Sequence, residues 1–197
     1  MKLPPPRRDS NTSVESALRR RRSVREFENQ PLALVEISQL LWAAQGLSGP
    51  ERKRTAPSAG ALYPLELLLV AGKHEELPVG VYRFQPDGHE LLLIAQGDHR
   101  ARLARAALDQ DWLAEAPVTL VLAAIYERTA RKYGQRAERY VHMEAGHAAQ
   151  NVHLQAVALG LATVVVGAFE DAEVKQVLSL GSNEQPLCLM PVGRARP

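Results

Sequence analysis

Apolar positions along the chain fall into blocks whose period switches between about 3.6 and 2 residues, so helices and strands should alternate. Leu34, Ile37, Leu40, Leu41 and Ala44 recur at helical spacing, and Gly46 is placed to end that helix. Before it, Thr12 with Glu15 three residues on is a capping-box signature and predicts a short helix running toward Arg21. Residues 65–71 and 118–125 are apolar runs of strand length, and 79–84 and 90–95 flank the turn signal Pro86-Asp87-Gly88 as a hairpin. A helix is expected over 98–108, with Asp98 as its cap and Leu103, Ala106 and Ala107 facing inward. Later come a short strand at 163–166, the turn Gly167-Ala168-Phe169, a helix over 171–178 and a last strand at 187–192.

The longest pattern, 137–159, is helical and contains no proline. Val141, Ala145, Ala148, Val152 and Leu159 lie on one side, and Tyr140, Met143, Leu154 and Ala158 on another. A helix that is apolar most of the way round must be surrounded by protein, so it is a core helix, a dimer seam, or both. The elements alternate without a regular strand-helix-strand rhythm, which favours an α+β sandwich over a doubly wound parallel sheet. Residues 1–11, with Pro4, Pro5, Pro6, Arg7 and Arg8, have little to bury and are expected as a flexible arm, leaving 12–197 as a single domain.

Composition narrows the class. The 197 residues are 46% hydrophobic and 23% charged, the profile of a soluble globular protein with one core. A net charge of +2 does not by itself argue for nucleic acid. The lone cysteine, Cys188, excludes an internal disulfide and fits a reducing compartment, where it is expected as a buried apolar residue. No stretch approaches the roughly 18 apolar residues of a membrane span, and the chain reads as cytoplasmic.

Two segments suggest chemistry. Arg21-Arg22-Ser23-Val24-Arg25 gathers guanidinium groups and a hydroxyl at the end of a predicted helix. Alone it reads as a solvated helix end, a nucleic-acid patch or a phosphate site, and the planar fork of arginine suits phosphate well. Pro57-Ser58-Ala59-Gly60 is a small-residue turn through which backbone groups can approach a flat ligand, with Arg54 just before it to balance negative charge. Lys132-Tyr133 is expected on a loop beside the long helix, among Arg128, Arg131, Arg136 and Arg139, whose charge would favour a lysine acting as a base. Metal binding is not expected: His142, His147 and His153 are spaced five and six apart, and Glu144-Ala145-Gly146-His147 is one Glu-x-x-His half-site without a second.

Taken in order, Arg21 to Phe27, Arg54 to Glu66, Lys132-Tyr133, Glu144 to Asn151, Gly160-Leu161, Gly167-Ala168-Phe169 and Pro191 to Arg194 resemble the nitroreductase family of FMN-dependent oxidoreductases. The likeness covers about residues 13 to 196 and is greatest to SagB-type dehydrogenases, the subgroup that includes azoline oxidases. It implies a nitroreductase-like sandwich: a central, mainly antiparallel sheet flanked by helices, the long helix at a homodimer interface, and FMN sites shared between subunits. It implies that Arg21, Arg22, Ser23 and Arg25 hold FMN from one subunit, that Pro57, Ser58, Ala59 and Gly60 reach it from the other, and that the Gly167 and Ala168 N–H groups face the ring. Arg194 is implied as a further phosphate contact, and Lys132 and Tyr133 as the pair near the substrate. The implied reaction passes a hydride between flavin N5 and a small organic substrate, with NADH or NADPH as a donor. Azoline oxidation in a peptide-modifying pathway, or a catalytically idle flavin-binding sensor or partner subunit, are the alternatives. Neither nucleic acid nor a membrane is an expected partner.

Overall fold

The two apolar runs become the centre of a six-stranded sheet because both of their faces can be buried. The computed structural model describes residues 1–28, 30–49 and 51–196. Helices α1 (Val14–Arg20) and α2 (Leu34–Gln45) precede strands β1 (Leu65–Ala71), β2 (Gly80–Gln85) and β3 (Glu90–Gln96). Then come α3 (Arg100–Ala106), α4 (Trp112–Glu115), β4 (Val118–Ala124), α5 (Tyr126–Tyr133), α6 (Ala137–Ala158), β5 (Ala162–Thr163), α7 (Asp171–Leu178) and β6 (Gln185–Gly193). The strands lie in the order β3-β2-β1-β4-β6-β5, and each neighbouring pair is antiparallel.

Side chains alternate across a strand, so each central strand feeds two cores. Leu65, Leu67 and Leu69 of β1, with Val118, Leu120 and Leu122 of β4, face a core closed by Ile37, Leu40 and Leu41 of α2 and Val141, Ala145, Ala148 and Val152 of α6. Leu68 and Val70, with Val121 and Ala123, face a second core closed by Leu103 of α3, Leu113 of α4 and Val174 and Leu178 of α7. This is the expected α+β architecture, with helices on both faces of an antiparallel sheet. Cys188 lies in the first core, where burial pushes its thiol up to about 12, so it fills space rather than acting as a nucleophile.

Some boundaries differ from the sequence reading. The α1 cap is Ser13, not Thr12: Ser13 Oγ accepts the Ser16 N–H at 3.1 Å, while the Thr12 backbone folds onto the Ser10 hydroxyl. β5 stops at Thr163, and Val166 returns only for a single bridge to Leu189. Residues 1–11, expected as a flexible arm, begin as an addition to the β3 edge. Leu3 N–H donates to the His89 carbonyl at 3.1 Å, Ser38 Oγ donates to the Pro4 carbonyl at 2.6 Å, and the Gln39 amide brackets the Arg7 backbone at 2.8 and 3.0 Å. No helix among the described residues is long and apolar enough to cross a membrane.

Between α1 and α2 the chain forms a strap that ties β5 to the end of β6. Val24 N–H donates to the Thr163 carbonyl, Glu28 N–H to the Arg194 carbonyl, and Arg196 N–H to the Glu26 carbonyl. Phe27 anchors the strap, fully buried and bridged to Ala195. Phe27→Ala should therefore lose about 3–5 kcal/mol, because the strap cannot collapse to fill the cavity; urea unfolding midpoints will show it, and a loss below about 1 kcal/mol would contradict this anchoring.

Candidate active site

The strap positions the first cluster. Arg21 is the C-cap of α1, where its backbone turns extended, and Ser23 then pairs in parallel with Thr163. Arg22 folds back, donating from one guanidinium nitrogen to the Arg19 and Arg21 carbonyls at 2.9 and 2.8 Å, and Arg25 lies 5.9 Å over the Trp112 ring. Among the described residues none of these three arginines has a carboxylate within ion-pair distance. Beneath them, burial and then the Arg21 charge hold His153 of α6 below the usual imidazole range, so it does not compete as a cation. The turn after β5 adds donors: among the described residues the Gly167 and Ala168 N–H groups make no backbone hydrogen bond, while the Ala168 carbonyl accepts from Gln110 at 3.0 Å. Arg194, expected as a further phosphate contact, donates from Nη2 to both carboxylate oxygens of Glu36, at 3.0 and 3.3 Å.

The second cluster forms around the small-residue turn. Ser58 Oγ accepts the Tyr63 N–H at 3.0 Å and closes the turn, and Gly60 takes φ 64°, a conformation open to glycine and costly for other residues. Glycine is needed here for space as well. A Cβ at residue 60 would stand 2.9 Å from Tyr133 Oη and 3.0 Å from Lys132 Nζ. The structure thus brings Pro57, Ser58, Ala59 and Gly60 together with Lys132 and Tyr133. Lys132 and Tyr133 do not lie on a loop, as expected, but in the last turn of α5, which ends at Gly134 with φ 53°. This helix is short and rich in charge, with only Thr129 fully buried, although Tyr126, Thr129, Ala130 and Tyr133 do share one face at helical spacing.

Two interactions aim α5 at the turn. Arg128 pairs with Glu66 of β1 at 2.6 Å and donates to the Tyr63 carbonyl at 3.0 Å, and the Tyr133 ring meets Tyr140 of α6 edge to face at 4.9 Å. Arg54 stacks over Tyr63 at 4.6 Å and donates to Gln45 Oε1 at 2.8 Å. Glu144, only 2% exposed on α6, faces Ser58 and Arg54. Burial pushes its carboxyl up to about 7, against the lowering effects of the Ser58 hydroxyl and the Arg54 cation. Sequence reading gave Glu144 weight only as a metal half-site. The usable signal was an acid on the inward stripe Val141, Ala145, Ala148, where a charge has no place unless it serves a site.

Along α6 the two clusters adjoin Glu144 and His153, nine residues apart, or about 13 Å at 1.5 Å per residue. The outer side of α6 is uncovered in the single chain, with Met143 53% exposed and Gly146 and His147 open. A separate cleft of about 760 Å³, between residues 7–14, α2 and the second half of α6, is lined in part by Thr55 and Asn151 but by none of the residues expected to hold FMN or meet the substrate.

Comparison with known proteins assigns this arrangement to a family. The model of the nitroreductase family matches residues 18–194. MJ1384 of Methanocaldococcus jannaschii, a protein named as a nitroreductase, is 49% identical over 92% of this chain and 90% of its own length. A crystal structure from Ralstonia eutropha JMP134, also named as a nitroreductase, superposes with a TM-score of 0.87 at 32% identity, covering 100% of this chain and 89% of that one. The microcin B17-processing protein McbC of Escherichia coli is 29% identical over 78% of this chain, which spans 58% of McbC. The chain belongs to the nitroreductase family and is an oxidoreductase.

Proposed function

We propose that this protein is an FMN-dependent oxidoreductase that passes a hydride between the flavin and a small organic substrate, with NADH or NADPH as donor, and that it works as a homodimer. The observation that carries the reading is the strap: several arginines fixed by backbone bonding to β5 and left without carboxylate partners among the described residues. Such a cluster is stabilised by an anion of matching geometry, and a phosphate ester supplies one.

The residues fit that group. Arg21, Arg22, Arg25 and the Ser23 hydroxyl would hold the phosphate end, and the free N–H groups of Gly167 and Ala168 would face the polar edge of the ring. The bare backbone at Gly60 leaves room for Lys132 and Tyr133 to close on the turn. When bound, the flavin supplies the hydride chemistry that no side chain provides. Arg194 is left to tie the strap to α2 through Glu36. A second copy is the occupant proposed for the open side of α6, and its turn at 57–60 would complete each site. At the substrate, the Lys132 side-chain nitrogen and the Tyr133 hydroxyl are the groups held at the turn to exchange a proton and to orient the substrate.

A second reading rests on the similarity to McbC, whose name refers to microcin processing. In that reading the substrate is an azoline ring in a peptide, and Lys132 takes the proton lost from the ring as it is oxidised. The two readings separate by redox direction: a synthetic thiazoline added to the oxidised, FMN-loaded protein should bleach it in the azoline reading, whereas a nitroaromatic acceptor added to the reduced protein should restore its colour in the first reading.

The primary test is reconstitution. Protein mixed with FMN and desalted should stay yellow, lose its colour under NADH or NADPH without oxygen, and regain it with an acceptor. Protein that stays colourless and is not stabilised by FMN would end the proposal. Arg25→Ala should weaken FMN binding by roughly 10- to 100-fold, the loss of one charge-assisted bond. Lys132→Ala should keep FMN and lose about 100-fold in turnover; unchanged turnover would remove Lys132 from the chemistry. Gly60→Ala should cost about 1–2 kcal/mol from backbone strain and slow turnover, because the added methyl displaces Tyr133 and Lys132.

A further inference from the structure

The reading above gives Glu144 no task, although it is the acid buried beneath the turn. Its Oε1 has no hydrogen-bond partner among the described residues, and neither does Gln45 Nε2, the unused end of the amide that binds Arg54. An acid held this way is either a liability or a working part, because an unpaired buried polar atom costs free energy that an apolar residue would not. Its neighbours favour the second. Ser58 is the residue that closes the turn, its hydroxyl accepting the Tyr63 N–H at 3.0 Å, and the same side chain acts on the Glu144 carboxyl to lower its proton affinity. Arg54 is stacked on Tyr63 and cannot move away from the acid without losing that contact and the Gln45 bond.

The other charged and titratable groups around this pair are Glu66 of β1 and Arg128 of α5, which act on Arg54 and are paired with each other, and Lys132 and Tyr133 at the end of α5. On α6 itself Tyr140 and His147 lie one turn to either side of Glu144. Arg54 keeps its charge across the working range, although burial lowers its proton affinity. The net charge beneath the turn is therefore set by the acid: positive when Glu144 is neutral, balanced when it is ionised.

We propose that Glu144 is a positioning residue for the turn at 58–60, and that its charge state decides whether Arg54 presents a net positive charge to an anionic group lying on that turn. The inference about the anionic group rests on the FMN reading; the titration beneath the turn does not. Because burial holds the acid up to about 7 when folded, against 4.5 in the unfolded chain, the unfolded state binds fewer protons between those values. The contribution to stability is full below 4.5 and lost as pH rises through about 7.

The test compares wild type, Glu144→Gln and Ser58→Ala, each melted without cofactor and titrated with FMN, at pH values on either side of 7. Wild type should lose thermal stability as pH rises to about 7 and should bind FMN about tenfold more weakly above it. Glu144→Gln should lack that loss and bind FMN at every pH as wild type does at low pH. Ser58→Ala, which removes the donor that favours the ionised acid, should move both wild-type transitions to higher pH, and it tests the idea even if Glu144→Gln fails to fold. Identical pH profiles for wild type and both variants would overturn the proposal. If no variant binds FMN at any pH, the cofactor reading fails separately. The melting curves then decide alone: a pH-dependent loss that Glu144→Gln lacks and Ser58→Ala shifts supports the role of Glu144, and its absence overturns it.

Discussion

The burial of both faces of β1 and β4 is the constraint on which the rest depends. A strand packed on one side can turn polar residues outward at every second position; these two cannot, because α2 and α6 cover one face and α3, α4 and α7 the other. Every backbone group of the central strands must then be satisfied within the sheet, which the antiparallel ladders to β2 and β6 achieve. Chemistry has no room in such an interior. It is displaced to the ends of the strands and to the long helix lying across them, where the strap, the turn at 57–60 and the last turn of α5 are found.

Charge is distributed accordingly. At one end of the sheet the acids and bases match: Glu184 accepts two bonds from Arg83 at 2.5 and 3.0 Å, Arg83 reaches Glu66 at 2.7 Å, and Glu66 reaches Arg128 at 2.6 Å. This chain of pairs runs from Glu184, just before β6, to α5 and fixes the helix that carries Lys132 and Tyr133. Buried pairs of this kind contribute little net stability, but removing one partner is costly, so their effect is to hold one geometry. The strap has the opposite character, with cations left unmatched among the described residues. That contrast is the observation from which an anion site at the strap is proposed.

Much of this could be read from residue order. The strands at 65–71 and 118–125, the hairpin, and the helices near 34–45, 137–159 and 171–178 follow from periodicity and from Gly46, Pro86-Asp87-Gly88 and the absence of proline in the long helix. Arg21 to Arg25 and Pro57 to Gly60 stood out because their compositions are unusual. The reading failed at α5, where Tyr126, Thr129, Ala130 and Tyr133 do recur at helical spacing but over only eight charge-rich residues, and at β5, which has only two residues. Capping failed at α1 because two adjacent hydroxyl residues were available and only the fold of the preceding turn chose between them.

Sequence alone determined most element types, the α+β class and the two segments with unusual chemistry, since these depend on local pattern and on side-chain type; the antiparallel sheet was legible only through the family resemblance. Only the tertiary structure decided which groups meet. It set Lys132 and Tyr133 over Gly60 and engaged Arg194 with Glu36 across 158 residues of sequence. It also buried Glu144 beneath Ser58 and Arg54, where its proton affinity changes. Proximity between distant residues, and the dielectric each group feels, are properties of packing in three dimensions, and no period in the chain encodes them.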